Sequence, residues 1–248
     1  MFLKYFTYGL LFILGIFSIP HVKCAVKSPK IIGGTTTTIS QAPFVVQIIR
    51  FGSTLCGGVL IEPTIVLTAT HCVYGSVAAG IQVRGGTTDL NTGGVVRQVA
   101  RIVISNKYST KTHHMDIAIV HLTTALTGTN IATIALGTKP LANNVAVKVW
   151  GWGYDESGVP SNVLRVVSLK TLARTTCARK YSLSPSKFCA FANGKDFCKG
   201  DSGGPLVHNN KLYGLVSLGK GCGINPGVYT SIASAPVKKF IAAGRRRR

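Results

Sequence analysis

The chain has 248 residues, of which 46% are hydrophobic, and its 28 lysines and arginines against 7 acids give a formal net charge of +21. That length allows one or two compact units with real cores. The charge favours anionic partners such as an acidic glycan or matrix, but no nucleic-acid motif accompanies it, and a solvated cationic surface is the plainer reading.

Residues 1–24 read as a signal peptide. Lys4 gives a positive start, Leu10–Phe17 is an apolar run too short to span a bilayer, and Pro20 and His21 close it before a cut after Cys24. No later segment is long and apolar enough for a membrane helix, so a secreted protein without a membrane span is expected. The first thirty residues carry Lys4, Lys23, Lys27 and Lys30 and no acid, so the 28 basic residues less these four leave 24 against 7, a net +17. Removal of Cys24 leaves Cys56, Cys72, Cys177, Cys189, Cys198 and Cys222. In an oxidising compartment these read as a disulfide framework, and spacing alone does not choose the pairing. The close CxxC spacing of common structural zinc sites is missing.

The body is strand-like. Phe44–Ile49, Gly58–Ile61, Val95–Ile104, Val145–Val149, Leu212–Val216 and Gly227–Thr230 are runs rich in β-branched residues, punctuated by Gly, Asn, Ser and Pro. This spacing predicts an all-β barrel or sandwich. One helix is expected at the C-terminus, with Ser234 as cap, Pro236 in the first turn and Val237, Phe240 and Ile241 as an apolar stripe. A boundary is placed near Thr138–Ala142.

Three motifs carry chemistry. Gly200-Asp201-Ser202-Gly203-Gly204-Pro205 puts a serine on a glycine-rich turn, Leu67–Cys72 puts His71 just after an apolar strand, and Asp116 heads the apolar run Ile117–Val120. A serine hydroxyl is nearly inert at neutral pH and needs a base to take its proton during attack. An imidazole is such a base, and a carboxylate can orient it, so the three are the parts of an acyl-transfer triad. His113 and His114 read as loop residues, with metal binding the lesser possibility.

With these residues in hand the chain resembles the trypsin-like serine proteases of the chymotrypsin family, from Ile31 to the C-terminus. Ile31-Ile32-Gly33-Gly34, Thr68–Cys72, Asp116–Val120, Gly151-Trp152-Gly153, Gly200–Pro205, Val216-Ser217 and Pro226–Tyr229 carry the resemblance. The chain order His71, Asp116, Ser202 belongs to this family rather than to other triad folds. The resemblance implies two six-stranded antiparallel barrels, 31–140 and 141–248, the second ending in the helix. It also implies the pairs Cys56–Cys72, Cys177–Cys189 and Cys198–Cys222.

The implied roles follow. Ser202 is the nucleophile, His71 the base, Asp116 the acceptor of the other ring N–H and Ser217 a second partner of Asp116. The N–H groups of Gly200 and Ser202 form the oxyanion hole. Asp196, six residues before Ser202, is the pocket-floor acid, and Gly219 and Gly227 leave room for a long side chain; with Ser217 these are the substrate-binding residues, and cleavage after Arg or Lys is expected. Lys30-Ile31 is the activation cut that frees an ammonium to pair with Asp201, making 25–30 an activation peptide. Phe197 stands where Ser or Ala is usual, Leu218 where Trp is usual and Thr70 where Ala is common; each touches rate or specificity. The loop Arg84–Gly94 holds only Asp89, so no calcium site is expected, and no other metal or cofactor. The expected protein is a monomeric secreted endopeptidase acting on proteins and peptides and open to protease inhibitors. The alternative is a weakly active or non-catalytic homologue that binds or regulates.

Overall fold

The computed structural model describes residues 33–154 and 158–246. The expected signal peptide and activation peptide, with Lys30 and Ile31, and the terminal Arg247 and Arg248 lie outside the described residues. In chain order the strands are β1 (Thr35–Thr36), β2 (Val45–Arg50), β3 (Ser53–Glu62), β4 (Ile65–Thr68), β5 (Ile81–Gly85), β6 (Val95–Ile104), β7 (Ala118–Leu122), β8 (Ala135–Leu136), β9 (Ala146–Gly151), β10 (Arg165–Thr171), β11 (Lys187–Phe191), β12 (Pro205–His208), β13 (Lys211–Leu218) and β14 (Gly227–Ser231). Among the described residues three α-helices accompany them: α1 (Thr70–Val73), α2 (Arg174–Ala178) and α3 (Ala235–Arg246).

Strands β2-β3-β4-β7-β6-β5 close a first antiparallel barrel. In the second, β9-β10-β11-β14-β13-β12 close through β12 back onto β9. The alternation of side chains along each strand gives each barrel its own core. Val46, Ile48, Leu60, Val66, Ile81, Val83 and Val120 fill the first, and Val147, Val149, Val167, Leu169, Leu206, Val216 and Tyr229 the second. The outward residues of both barrels meet in a third cluster, where Val45, Val59 and Leu67 pack with Trp150, Trp152, Leu215 and the helical Val237 and Ile241. Burying one such aliphatic side chain contributes about 1.5–3 kcal/mol, so this shared layer fixes how the barrels face each other.

The chain ends cross over. Thr35 and Thr36 pair with β10 of the second barrel. Helix α3 docks on β7 of the first, where a Cβ on Gly244 would come within 2.2 Å of Ile119. Its apolar stripe lies as expected, but Ser234 behaves differently. The Ser234 hydroxyl donates to the Ser231 carbonyl at 2.8 Å, so the side chain closes the turn before the helix instead of capping it. Arg245 pairs with Glu62 of β3. The disulfides are Cys56–Cys72, Cys177–Cys189 and Cys198–Cys222.

Candidate active site

Each side of the cleft supplies a turn. Strand β4 ends at Thr68, and after Ala69 the single helical turn α1 presents His71 beside the Cys56–Cys72 bridge. Asp116 sits at the centre of a tight turn, with the Ile117 N–H donating to the Met115 carbonyl at 2.8 Å. Met115 is buried and has φ +50°, and His113 has φ +49°, so two non-glycine residues before Asp116 are held in the left-handed region. Strained backbone of this kind costs of order 1–3 kcal/mol per residue and is concentrated at functional sites.

Asp116 is fully buried, and both carboxylate oxygens have partners. Oδ1 accepts from the His71 backbone N–H at 3.0 Å, and Oδ2 lies 2.9 Å from His71 Nδ1. The Ser217 hydroxyl donates to Oδ2 at 2.5 Å. Two further groups converge there that sequence reasoning did not place in the site. His113 Nδ1 stands 3.6 Å from Oδ2, beyond hydrogen-bond reach, with its ring edge-to-face on His71. Lys187 of β11 is buried, with Nζ 3.9 Å from Oδ2 and hydrogen-bonded to Ser217 Oγ. An ammonium only donates. Lys187 therefore occupies an acceptor site of the Ser217 hydroxyl and turns its proton toward Asp116. Burial pushes the Asp116 carboxyl up, but His113, His71 and Lys187 outweigh it and hold the group well below the usual carboxylate range. Burial pushes Lys187 down to about 8 against the pull of Asp116.

Ser202 lies on a loop that glycine makes possible. Gly200 has φ +90° and Gly203 φ +78°. A Cβ on Gly203 would come 2.2 Å from Thr68 Oγ1 and 2.5 Å from the Gly57 carbonyl, so any larger residue would force the serine loop off the first barrel. The Gly57 N–H donates to the Ser202 carbonyl at 2.9 Å, which ties the loop across the cleft. Among the described residues no hydrogen bond joins His71 to Ser202, and the Gly200 and Ser202 N–H groups have no protein acceptor. Before substrate binds, catalytic hydrogen bonds are often long. Asp201 is fully buried, and its carboxylate accepts from the Gly153 N–H at 2.8 Å and the Cys198 N–H at 2.9 Å. Burial raises it to about 6 against those bonds.

A cavity of roughly 260 Å³ beside Ser202 is lined by Asp196, Phe197, Ser217, Leu218 and Gly219 and braced by Cys198–Cys222. Asp196 is buried and accepts from the Phe197 N–H at 2.9 Å and the Gly223 N–H at 3.2 Å. Burial lifts its carboxyl to about 7 despite both bonds. The Phe197 ring packs edge-on to Tyr229 and lies over Gly227, where a Cβ would meet it at 2.3 Å, while its far edge faces Gly219. Of the two expected glycines Gly219 lines the cavity, whereas the space over Gly227 is filled by the Phe197 ring. Thr70 is buried with no partner for its hydroxyl among the described residues.

A buried Ser–Asp–His assembly, a serine on a glycine-bounded turn and an acid-floored cavity, set between two antiparallel barrels, define the trypsin class of serine hydrolase. The Trypsin family model matches residues 31–241. Trypsin alpha-4 of Lucilia cuprina is 42% identical over 215 residues, covering 83% of this chain and 84% of that protein. Trypsin alpha of Drosophila erecta is 40% identical, covering 82% and 84%. The solved structure of the scabies mite inactivated protease paralogue S-D1 superposes with a TM-score of 0.80 over 88% of this chain and 99% of that one; at 24% identity it shows the fold alone. The chain belongs to the trypsin family and is a trypsin-like serine endopeptidase.

Proposed function

We propose that this endopeptidase is secreted as a zymogen, is activated by cleavage at Lys30-Ile31 and cuts peptides after Arg or Lys. The observation that carries the specificity is Asp196: a buried carboxylate that burial pushes up, bonded to backbone N–H groups, at the base of a cavity beside Ser202. Burying a carboxylate without a counter-ion is costly, and a substrate cation reverses that cost. Phe197 narrows the route, so the slimmer lysine side chain is expected to pass more readily than the planar guanidinium.

In this reading His71 takes the Ser202 proton as the hydroxyl attacks the scissile carbonyl, then gives it to the leaving amine. Asp116, with Ser217 and Lys187 behind it, fixes the ring, and the Gly200 and Ser202 N–H groups receive the oxyanion. The Ile31 ammonium freed by activation pairs with Asp201, and the basic surface offers anionic glycan or matrix a weak, salt-sensitive hold on a monomer. The test is fluorophosphonate labelling beside N-terminal sequencing. Protein beginning at Ile31 should be labelled at Ser202, and uncut protein should not. No labelling of the cut, folded protein would leave the alternative, a homologue that binds without cleaving.

A further inference from the structure

We propose that His71, His113 and Asp116 form an inhibitory site for a zinc ion. Each of the three offers one ligand atom, an imidazole nitrogen from either histidine and a carboxylate oxygen, all within 4.8 Å of one another, and Nδ1 is the nitrogen that faces Asp116 on both rings. Zinc bonds to imidazole nitrogen and carboxylate oxygen are about 2.0–2.2 Å long, which sets neighbouring ligand atoms of a tetrahedron roughly 3.3 Å apart. Two edges of the triangle are known, 2.9 Å from His71 Nδ1 to Asp116 Oδ2 and 3.6 Å from His113 Nδ1 to the same oxygen, and they bracket that value. The second independent observation is His113 itself. Its Nδ1 is a buried polar atom with no hydrogen-bond partner, held toward Asp116 by a left-handed backbone. A buried polar atom left unpaired is costly, and a metal bond would satisfy it.

The donor set selects the ion. Two imidazoles and one carboxylate with an open fourth position suit zinc, whereas calcium requires more oxygen ligands. Cys56 and Cys72 are joined to each other and offer no thiolate. Both imidazoles are partly open to solvent, which gives the ion an entry path. One group opposes it: the Lys187 ammonium, 3.9 Å from Asp116 Oδ2. Binding replaces the Nδ1–H of the neutral His71 ring by a metal bond while the ring takes a proton at Nε2, so the ligand stays a neutral imidazole and no net proton is released. The ring is then oriented by the ion and loses Asp116 as its partner, so it no longer serves Ser202.

Two readouts test this. On the Ser202→Ala protein, competition with a chromogenic chelator should show one zinc bound, and His113→Gln should weaken it at least tenfold. On active enzyme, micromolar zinc should inhibit turnover, EDTA should reverse it, and His113→Gln should raise the inhibitory concentration at least tenfold, each variant being read against its own zinc-free rate. Lys187→Met should tighten binding severalfold. No bound zinc, or equal binding and inhibition in wild type and His113→Gln, would overturn the inference. The chelator measurement decides it even in a protein without turnover, so its outcome is separate from that of the Arg/Lys reading.

Discussion

Asp116 and Asp196 are two of seven acids in a strongly basic chain, both are buried, and their proton affinities move in opposite directions. Asp116 is held low and Asp196 is lifted to about 7. Desolvation pushes both up. Asp116 faces two imidazoles and an ammonium as well as a hydroxyl, whereas the hydrogen bonds of Asp196 among the described residues come from backbone N–H groups alone. Neutral dipoles soften the cost of burial, and full charges reverse it. In the proposed reading the first carboxylate is complete as it stands and positions the base, and the second is completed by a cation that arrives with the substrate.

The largest break in that contrast is Asp116→Asn, which keeps the shape and removes the charge. Turnover should fall by about 10³–10⁴-fold with little change in KM, because the ring loses its orienting acceptor. Asp196→Ser should cost about 10²–10³-fold in kcat/KM on Arg and Lys substrates while a substrate with Phe before the scissile bond is unaffected or improved. Phe197→Ser should act the other way, raising kcat/KM on Arg more than on Lys. Steady-state kinetics on matched peptides checks all three.

Proton linkage sharpens the same contrast. A cation binds the ionised form of Asp196, and with the free carboxyl at about 7 a competitive amidinium inhibitor should weaken about tenfold per pH unit below that value and level off above it. The stability terms have opposite signs. Asp116, depressed on folding, contributes stability that is present above the usual carboxylate range and is lost as pH falls through its folded value. Asp196, raised on folding, binds more protons folded than unfolded between the ordinary carboxyl value of 3.8 and about 7, so its contribution declines as pH rises across that window. An inhibitor constant independent of pH between 5 and 7 would break the account of Asp196.

Lys187 gives the smallest effect. Its ammonium donates to Ser217 and turns that hydroxyl toward Asp116, so Lys187→Met should lower kcat severalfold with little change in KM. Lys187→Gln should restore a donor to Ser217 and recover kcat. A kcat unchanged in both variants would reduce Lys187 to packing.

Motif and spacing made the centre of this site legible: three separate segments supplied serine, imidazole and carboxylate, apolar runs with turn residues pointed to an all-β barrel or sandwich, and the resemblance to the trypsin-like proteases chose the two barrels. What escaped was the side-chain surroundings of the carboxylates. Lys187 reads as one more solvated cation in a basic chain, yet it stands two residues before Cys189, and the period of two puts both on the buried face of β11. That signal was available. The approach of His113 to Asp116 was not, because it depends on two residues taking left-handed backbone angles that local preference disfavours. Phe197 was visible as a departure, but the direction of its ring follows from packing on Tyr229. Ser234 had the right residue type for a cap and spends its hydroxyl on the preceding turn instead.

The most direct test of the central claim is kcat/KM of the activated enzyme on three peptides that differ only in the residue before the scissile bond, Lys, Arg or Phe. The account predicts turnover of the Lys and Arg peptides at least 10²-fold above Phe, with Lys at or above Arg. A preference for Phe would contradict it, and would mean that the Phe197 ring, not the Asp196 carboxylate, defines the pocket.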